Sequence, residues 1–161
     1  MVQEENIKLD EIDIKILEIL SKDSQSSNTS IANKLEKHPT TISNHVEDLK
    51  KKGIIEAFTI NINYEKLGFD IIALIELTVS KGKMLEVEEE IAENPSVFAV
   101  YDVTGQYDAL VLARFKARKD LSKLVKDINS LSNVIRTNTH LILNIIKEGT
   151  DFSEFWKVNN P

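Results

Sequence analysis

Hydrophobic positions along the chain follow two different rhythms, and the change falls near residue 70. Over residues 10–22, Ile12, Ile16 and the pair Ile19/Leu20 recur at helical spacing and make one apolar face. Asp10, Glu11 and Asp13 stand in the first turn, where the helix dipole favours acids. A polar stretch over 23–27 ends that helix. Ser27 suits the cap of a short second helix carrying Ile31, Ala32 and Leu35. A turn is expected at Glu36, Lys37 and His38. Pro39 then suits the first position of a third helix that buries Ile42, Val46 and Leu49. Gly53 stands just past its last turn, as a stop signal should. Three short helices with a tight turn before the third make a helix-turn-helix candidate, and a small helical bundle with no ligand has the same rhythm.

The second half reads β-α-β-β-α-β. Ile71–Val79 is an apolar strand run, and 83–93 is a helix with Met84, Val87 and Ile91 on one side. Strands are predicted over 97–104 and 107–115, joined tightly at Gly105-Gln106. Leu121, Leu124, Val125, Ile128 and Leu131 mark a second helix, and 135–147 is the last strand. This order is that of a ferredoxin-like split βαβ unit, with both helices on one face of an antiparallel sheet. The fold class is therefore α+β: an N-terminal (winged) helix-turn-helix domain at 1–55, a linker strand at 56–69, a ferredoxin-like domain at 70–147 and a tail at 148–161.

The sheet is apolar on both sides. In its third strand Ala109, Val111 and Ala113 point one way while Leu110 and Leu112 point the other. A solvated face should be mostly polar, so a second copy of the sheet is expected on the open face. In the tail, Phe152, Phe155 and Trp156 have the spacing of a short surface helix.

Composition adds limits. Of 161 residues, 42% are hydrophobic and none is cysteine. Disulfides and thiolate metal sites are excluded, and a reducing, cytoplasmic setting fits. There is no apolar run of membrane-spanning length, so no membrane partner is expected, and the polar start at 1–9 is unlike a secretory signal. The net charge of −6 runs against the basic footprint usual for DNA binding, although one face alone can serve. His38, His45 and His140 have no metal-ligand spacing and no acid cluster joins them, so no metal is expected. The acidic run Glu86, Glu88, Glu89 and Glu90 reads as a solvated helix face. No nucleophile–base pair, phosphate loop or dinucleotide motif is present, which argues against an enzyme and against a cofactor.

Leu9, Asp10, Glu11, Ile12 and Asp13 with Ile16-Leu17, then Ile31-Ala32, Thr41-Ile42 and Leu49 through Ile55, resemble the Lrp/AsnC (feast/famine) regulators. The segment from Tyr64 to Gly68 is similar to that family's junction. Asn94-Pro95-Ser96-Val97, the run from Val103 to Asp108, Arg136-Thr137-Asn138-Thr139 and Lys147 resemble its effector-sensing domain. The resemblance implies a sequence-specific DNA-binding transcription regulator. It implies double-stranded DNA as partner, a free amino acid as effector, and homodimers that assemble further, commonly to octamers. Three positions depart from the family pattern. Glu36 stands where glycine is common, and His38 stands where serine is usual. Asn44, His45 and Asp48 stand on the recognition helix where arginines are usual.

With Ile42, Val46 and Leu49 buried, Thr40, Ser43, Asn44 and Glu47 are expected to face outward. Asn44 is the candidate base reader, since its amide can pair bidentately with adenine. Thr40 and Ser43 suit phosphate or a thymine methyl, and His45, Lys50, Lys51 and Lys52 suit phosphate. The alternative for the lysines is a solvated helix end stabilised by the dipole. For the effector, Gly105 allows an unusual turn whose N–H groups suit a carboxylate, and Asp108 suits an α-amino group. Gln106 and Tyr107 complete that loop, and Thr137 and Thr139 share one face of the last strand. The alternative is a tight turn beside threonines selected for strand propensity; the resemblance tips the reading towards a ligand site. Two other readings stay open: an effector-independent architectural DNA binder, and a sensing or assembly partner with a weakened DNA head.

Overall fold

The computed structural model describes residues 8–149 and 151–159, so most of the polar start lies outside the described residues. These form two compact units. One comprises residues up to 61 together with those from 148 on; the other spans 62–147. The tail is therefore part of the N-terminal unit, where the sequence suggested a separate segment.

In the N-terminal unit, α1 (Glu11–Lys22), α2 (Asn28–Leu35) and α3 (Pro39–Lys51) enclose Ile16, Leu20, Ile31, Ala32, Ile42, Val46 and Leu49. Local chemistry sets each boundary. Asp10 caps α1 by accepting from the N–H groups of Ile12 and Asp13, while Asp13 accepts from the N–H of Asp10, a reciprocal capping box. Ser27 caps α2 through the N–H of Ser30. Glu36 ends α2 in the left-handed region, at φ 54° and ψ 44°, a conformation that glycine adopts more readily. Pro39 opens α3, and Gly53 at φ +70° closes it as Ile54 N–H reaches back to the Leu49 carbonyl. The final helix, α6 (Phe152–Asn159), packs against α1.

The C-terminal unit holds β1 (Ile71–Val79), α4 (Met84–Ala92), β2 (Val97–Asp102), β3 (Ala109–Phe115), α5 (Arg118–Ser130) and β4 (Val134–Ile142). The sheet is antiparallel in the order β2-β3-β1-β4, as the split βαβ order requires. Ala73, Ile75, Leu77 and Val79 of β1 and Ala109, Val111, Ala113 and Phe115 of β3 are buried with Val87 and Ile91 of α4 and Leu124 and Ile128 of α5. The alternate residues, Ile72 and Leu74 with Leu110 and Leu112, lie on the other face and stay half-buried. The last strand stops at Ile142, short of the predicted 147. Its β1 partner begins at Ile71, so beyond the Ile72–Ile142 pair there is no strand left to bond.

The linker strand expected over 56–69 is not formed. Among the described residues, this stretch contains only a 3₁₀ turn at Glu65–Leu67, because no neighbouring strand pairs with it. Its alternation is nonetheless that of a strand, with Phe58, Ile60, Ile62 and Tyr64 all exposed.

Candidate DNA-reading helix and effector loop

The cap of α3 is His38. Its Nδ1 accepts from the N–H of Thr40 at 3.3 Å and bonds the Thr40 hydroxyl at 3.1 Å, so the imidazole itself caps the helix. Beyond that turn Asn44 and Glu47 are exposed and Ser43 is half-buried. Lys50 is held by Glu47 at 3.0 Å and lies over the Phe58 ring, and Lys52 is held by Asp48 at 2.6 Å. Lys51 is exposed and, among the described residues, makes no ion pair. Residues 8–61 contain eight lysines, no arginine and nine carboxylates, so this helical stretch is close to neutral, and most of the acid excess lies in residues 1–7 and 148–161.

His45 does not face outward. Its Nδ1 lies 2.7 Å from Asp13 Oδ1 and 4.0 Å from Asp10 Oδ2, and only 22% of its side chain is exposed. Asp10, Asp13 and His45 thus present ligand-type atoms within 4.8 Å of one another. The expectation that no acids join the histidines fails here, because the partners are 32 residues apart in sequence. His140 is a second case, donating from Nε2 to Glu76 at 2.9 Å across 64 residues. Hydrogen bonding by His140 first, then by Asn138, holds the Glu76 carboxyl below its ordinary range despite some desolvation.

In the C-terminal unit, Gly105 sits at φ +133° with open space around its α-carbon, in the connection between β2 and β3. Gln106 is exposed. Asp108 has a structural role. Its Oδ2 accepts from the Val79 N–H at 2.8 Å, and its own N–H donates to the Leu77 carbonyl. Register places Asp102, Ala109, Leu77 and Thr137 in one row across the sheet, so Thr137 and the 103–108 loop share one end of it. They do not share one cluster. Thr137 pairs with Leu77 and Thr139 with Ile75, both on the helix-covered face, and the Thr137 hydroxyl donates to Asn129 of α5. Tyr107 belongs with the opposite face, where its hydroxyl accepts from Arg136 and Asn138. Sequence spacing put the two threonines on one face and could not say which. The polar group that sequence reasoning missed is Glu76 with Asn138 and His140, visible only once the β1–β4 register is known.

Glu88 also departs from expectation, since it is not a fully solvated member of its acidic run. Its Oε1 is shut off from solvent and, among the described residues, has no hydrogen-bond partner. Burial first, and the Asp102 carboxylate second, push its carboxyl above the ordinary range.

Comparison with known proteins supplies the identity of this arrangement. The family model described as winged helix-turn-helix DNA-binding matches residues 9–56, and that described as the Lrp/AsnC ligand binding domain matches residues 72–152. An uncharacterised helix-turn-helix-type transcriptional regulator of Pyrococcus horikoshii is 44% identical over 142 residues, covering 88% of this chain and 96% of that one. The helix-turn-helix-type regulator FL11 of Pyrococcus furiosus is 35% identical, covering 89% and 95%. Among solved structures, Escherichia coli AsnC is similar with a TM-score of 0.84 and 23% identity, covering 89% of this chain and 98% of that chain. A transcriptional regulator of Neisseria meningitidis, solved as an L-Met complex, follows at 0.81 and 24%, covering 89% and 96%. No helix among the described residues is long and apolar enough to cross a membrane. The relatives are transcription regulators and not enzymes, and this chain belongs with them to the Lrp/AsnC family of DNA-binding transcription regulators.

Proposed function

We propose that this regulator reads a specific duplex sequence through α3 and that its assembly or DNA binding responds to a free amino acid held at the 105–108 loop. The observation that carries the effector half is the loop itself. A glycine in a conformation closed to other residues stands three positions before Asp108, which has one carboxylate oxygen engaged by Val79 and one left for an ammonium group. Gln106 and Tyr107 belong to the same turn, whereas Thr137 and Thr139, on the helix-covered face of β4, stand apart from it. The similarly folded Neisseria meningitidis protein, solved with L-Met, supports the same class of ligand. For DNA, Ser43 and Asn44 supply hydroxyl and amide groups suited to base edges, with Thr40 at the helix start and Lys50 and Lys51 at its end suited to phosphate.

Assembly is part of the proposal. The uncovered sheet face, Ile72, Leu74, Leu110 and Leu112 with Phe98 and Tyr101 exposed beside them, suits a second copy of itself, and four such dimers would build the octamer. A ligand that prefers one assembly shifts the spacing of the DNA heads, which couples the two sites.

Titration calorimetry with each common amino acid, repeated on Asp108→Ala, tests the effector. Binding at millimolar concentration or tighter that is lost in the variant is expected. No binding, or binding unchanged by the variant, overturns the site. Selection from a random duplex pool tests DNA reading, and Asn44→Ala should lose about 1–3 kcal/mol of sequence discrimination. A second reading has its own observation. Lys50 and Lys52 are neutralised by Glu47 and Asp48, which favours a sensing or assembly partner with a weakened DNA head. A pool that enriches no motif would select it, or the architectural binder if affinity stays high.

A further inference from the structure

The outward direction of Ser43 and Asn44 depends on the roll of α3 about its own axis. Its apolar contacts through Ile42, Val46 and Leu49 hold the helix in place but are not directional, so they tolerate some rotation. A hydrogen bond is directional. The bond that supplies direction comes from His45, the residue next to Asn44. It runs from the middle of α3 to Asp13 in the first turn of α1. Asp13 is 4% exposed and accepts twice, from the Asp10 N–H at Oδ2 and from His45 at Oδ1. An ionised carboxylate can only accept, so Nδ1 carries the proton. The capping box of α1 and the reading helix are therefore one polar network.

We propose that His45 is a positioning residue of the DNA-reading head: through Asp13 it fixes the roll of α3, and it makes no phosphate contact. This rests on DNA reading by α3 and adds to it a specificity role for an inward-facing side chain. Salt dependence separates this role from the phosphate reading of the same residue. Removing one phosphate-neutralising group lowers the slope of log affinity against log salt by about 0.9. Removing a positioning bond lowers affinity and leaves that slope alone.

The test uses the full chain and two duplexes, one enriched by the unaltered protein from a random pool and one of fixed mixed sequence. Binding is followed by fluorescence anisotropy across a salt series. His45→Ala is expected to weaken binding to the enriched duplex about tenfold, with the salt slope unchanged and the preference over the mixed duplex reduced. His45→Asn, whose amide N–H reaches the place of Nδ1, should restore most of both affinity and preference. Tryptophan fluorescence of Trp156, in the same unit as α3, checks in each sample that the head is folded. If His45→Ala unfolds the head, His45→Asn decides alone. A slope lower by about 1 in His45→Ala would mean a phosphate contact and overturn the proposal. Unchanged affinity, or an Asn variant that binds as poorly as Ala or does not fold, overturns it as well. If the pool enriches nothing, the sequence-specific reading fails, while affinity and salt slope on the mixed duplex still judge His45.

Discussion

The outward face of α3 and the uncovered face of the C-terminal sheet both lack a cover within their own unit, and they are made of opposite materials. On α3 every exposed side chain is polar, and much of the charge is answered locally, Lys50 by Glu47 and Lys52 by Asp48. On the sheet, Ile72, Leu74, Leu110 and Leu112 form an apolar field, with Glu76, Asn138 and His140 as a polar island at one side. A polar face with satisfied partners is stable in water, so its ligand adds function and is not needed for folding. An apolar face is costly in water, so a cover for it would contribute to stability itself. The same chain thus carries one polar surface suited to a ligand and one apolar surface suited to the second subunit proposed above.

The largest effect should come from placing a charge in the apolar field. Leu112→Asp would put a carboxylate opposite Leu74, where the proposed stacking of two sheets would leave it no water. The expected cost is on the order of 3–5 kcal/mol per subunit, because an unpaired charge is buried. Light scattering should find the unaltered protein at twice the 18.2 kDa chain mass or more and the variant at or near the single chain. An assembly untouched by Leu112→Asp would place the contact on some other surface and break the contrast between the two faces.

A smaller effect is expected in the head. Glu36 occupies a left-handed position that costs a side-chain-bearing residue about 1 kcal/mol or more, partly offset by the chain entropy that glycine loses on folding. Glu36→Gly should stabilise the head by about 0.5–1 kcal/mol. Trp156, the one tryptophan, lies in that unit, so urea unfolding followed by its fluorescence reads the head directly. A destabilised variant would show that Glu36 makes a contribution beyond its backbone.

The two units also differ in how much the sequence disclosed. Helix limits in the head were legible because each is set by a local signal: Asp10 and Ser27 as caps, Pro39 at a start and Gly53 at a stop. The strand order followed from the βαββαβ sequence of elements, and the buried stripes of β1 and β3 from alternation alone. What stayed hidden was pairwise. Asp13 with His45 and Glu76 with His140 join residues 32 and 64 apart, and no periodicity links them. The side of the sheet taken by Thr137 required the register with Leu77. The 56–69 segment looked like a strand by composition, but a strand exists only with a partner, and none is present among the described residues. The candidate loop at Gly105 was found from sequence, whereas the structural engagement of Asp108 with Val79 was not.

The smallest effect sharpens the comparison inside the C-terminal unit, between two carboxylates on opposite sides of its sheet. Glu76 lies on the uncovered face and is held below its ordinary value of 4.5, first by its hydrogen bond from His140 and then by that from Asn138. A carboxyl lowered by folding stabilises the fold above its unfolded value. That stability is lost as pH falls through the lowered value. Glu88 lies on α4 near Asp102, which shares its row with buried Ala109, and is raised by burial and then by Asp102. Its charge opposes folding at neutral pH, and the penalty fades as pH falls through the raised value. The two neutral variants should therefore move in opposite directions. Glu76→Gln should melt lower than the unaltered protein at about pH 7 and converge with it towards about pH 3. Glu88→Gln should melt higher at neutral pH and also converge on acidification. Thermal melts followed by circular dichroism over that range are the measurement, read at fixed protein concentration because assembly shifts the midpoint. If both variants move the same way, one of the two environments is misassigned. If only the Glu76 difference depends on protein concentration, that carboxylate belongs to the contact between sheets while Glu88 belongs to the single chain.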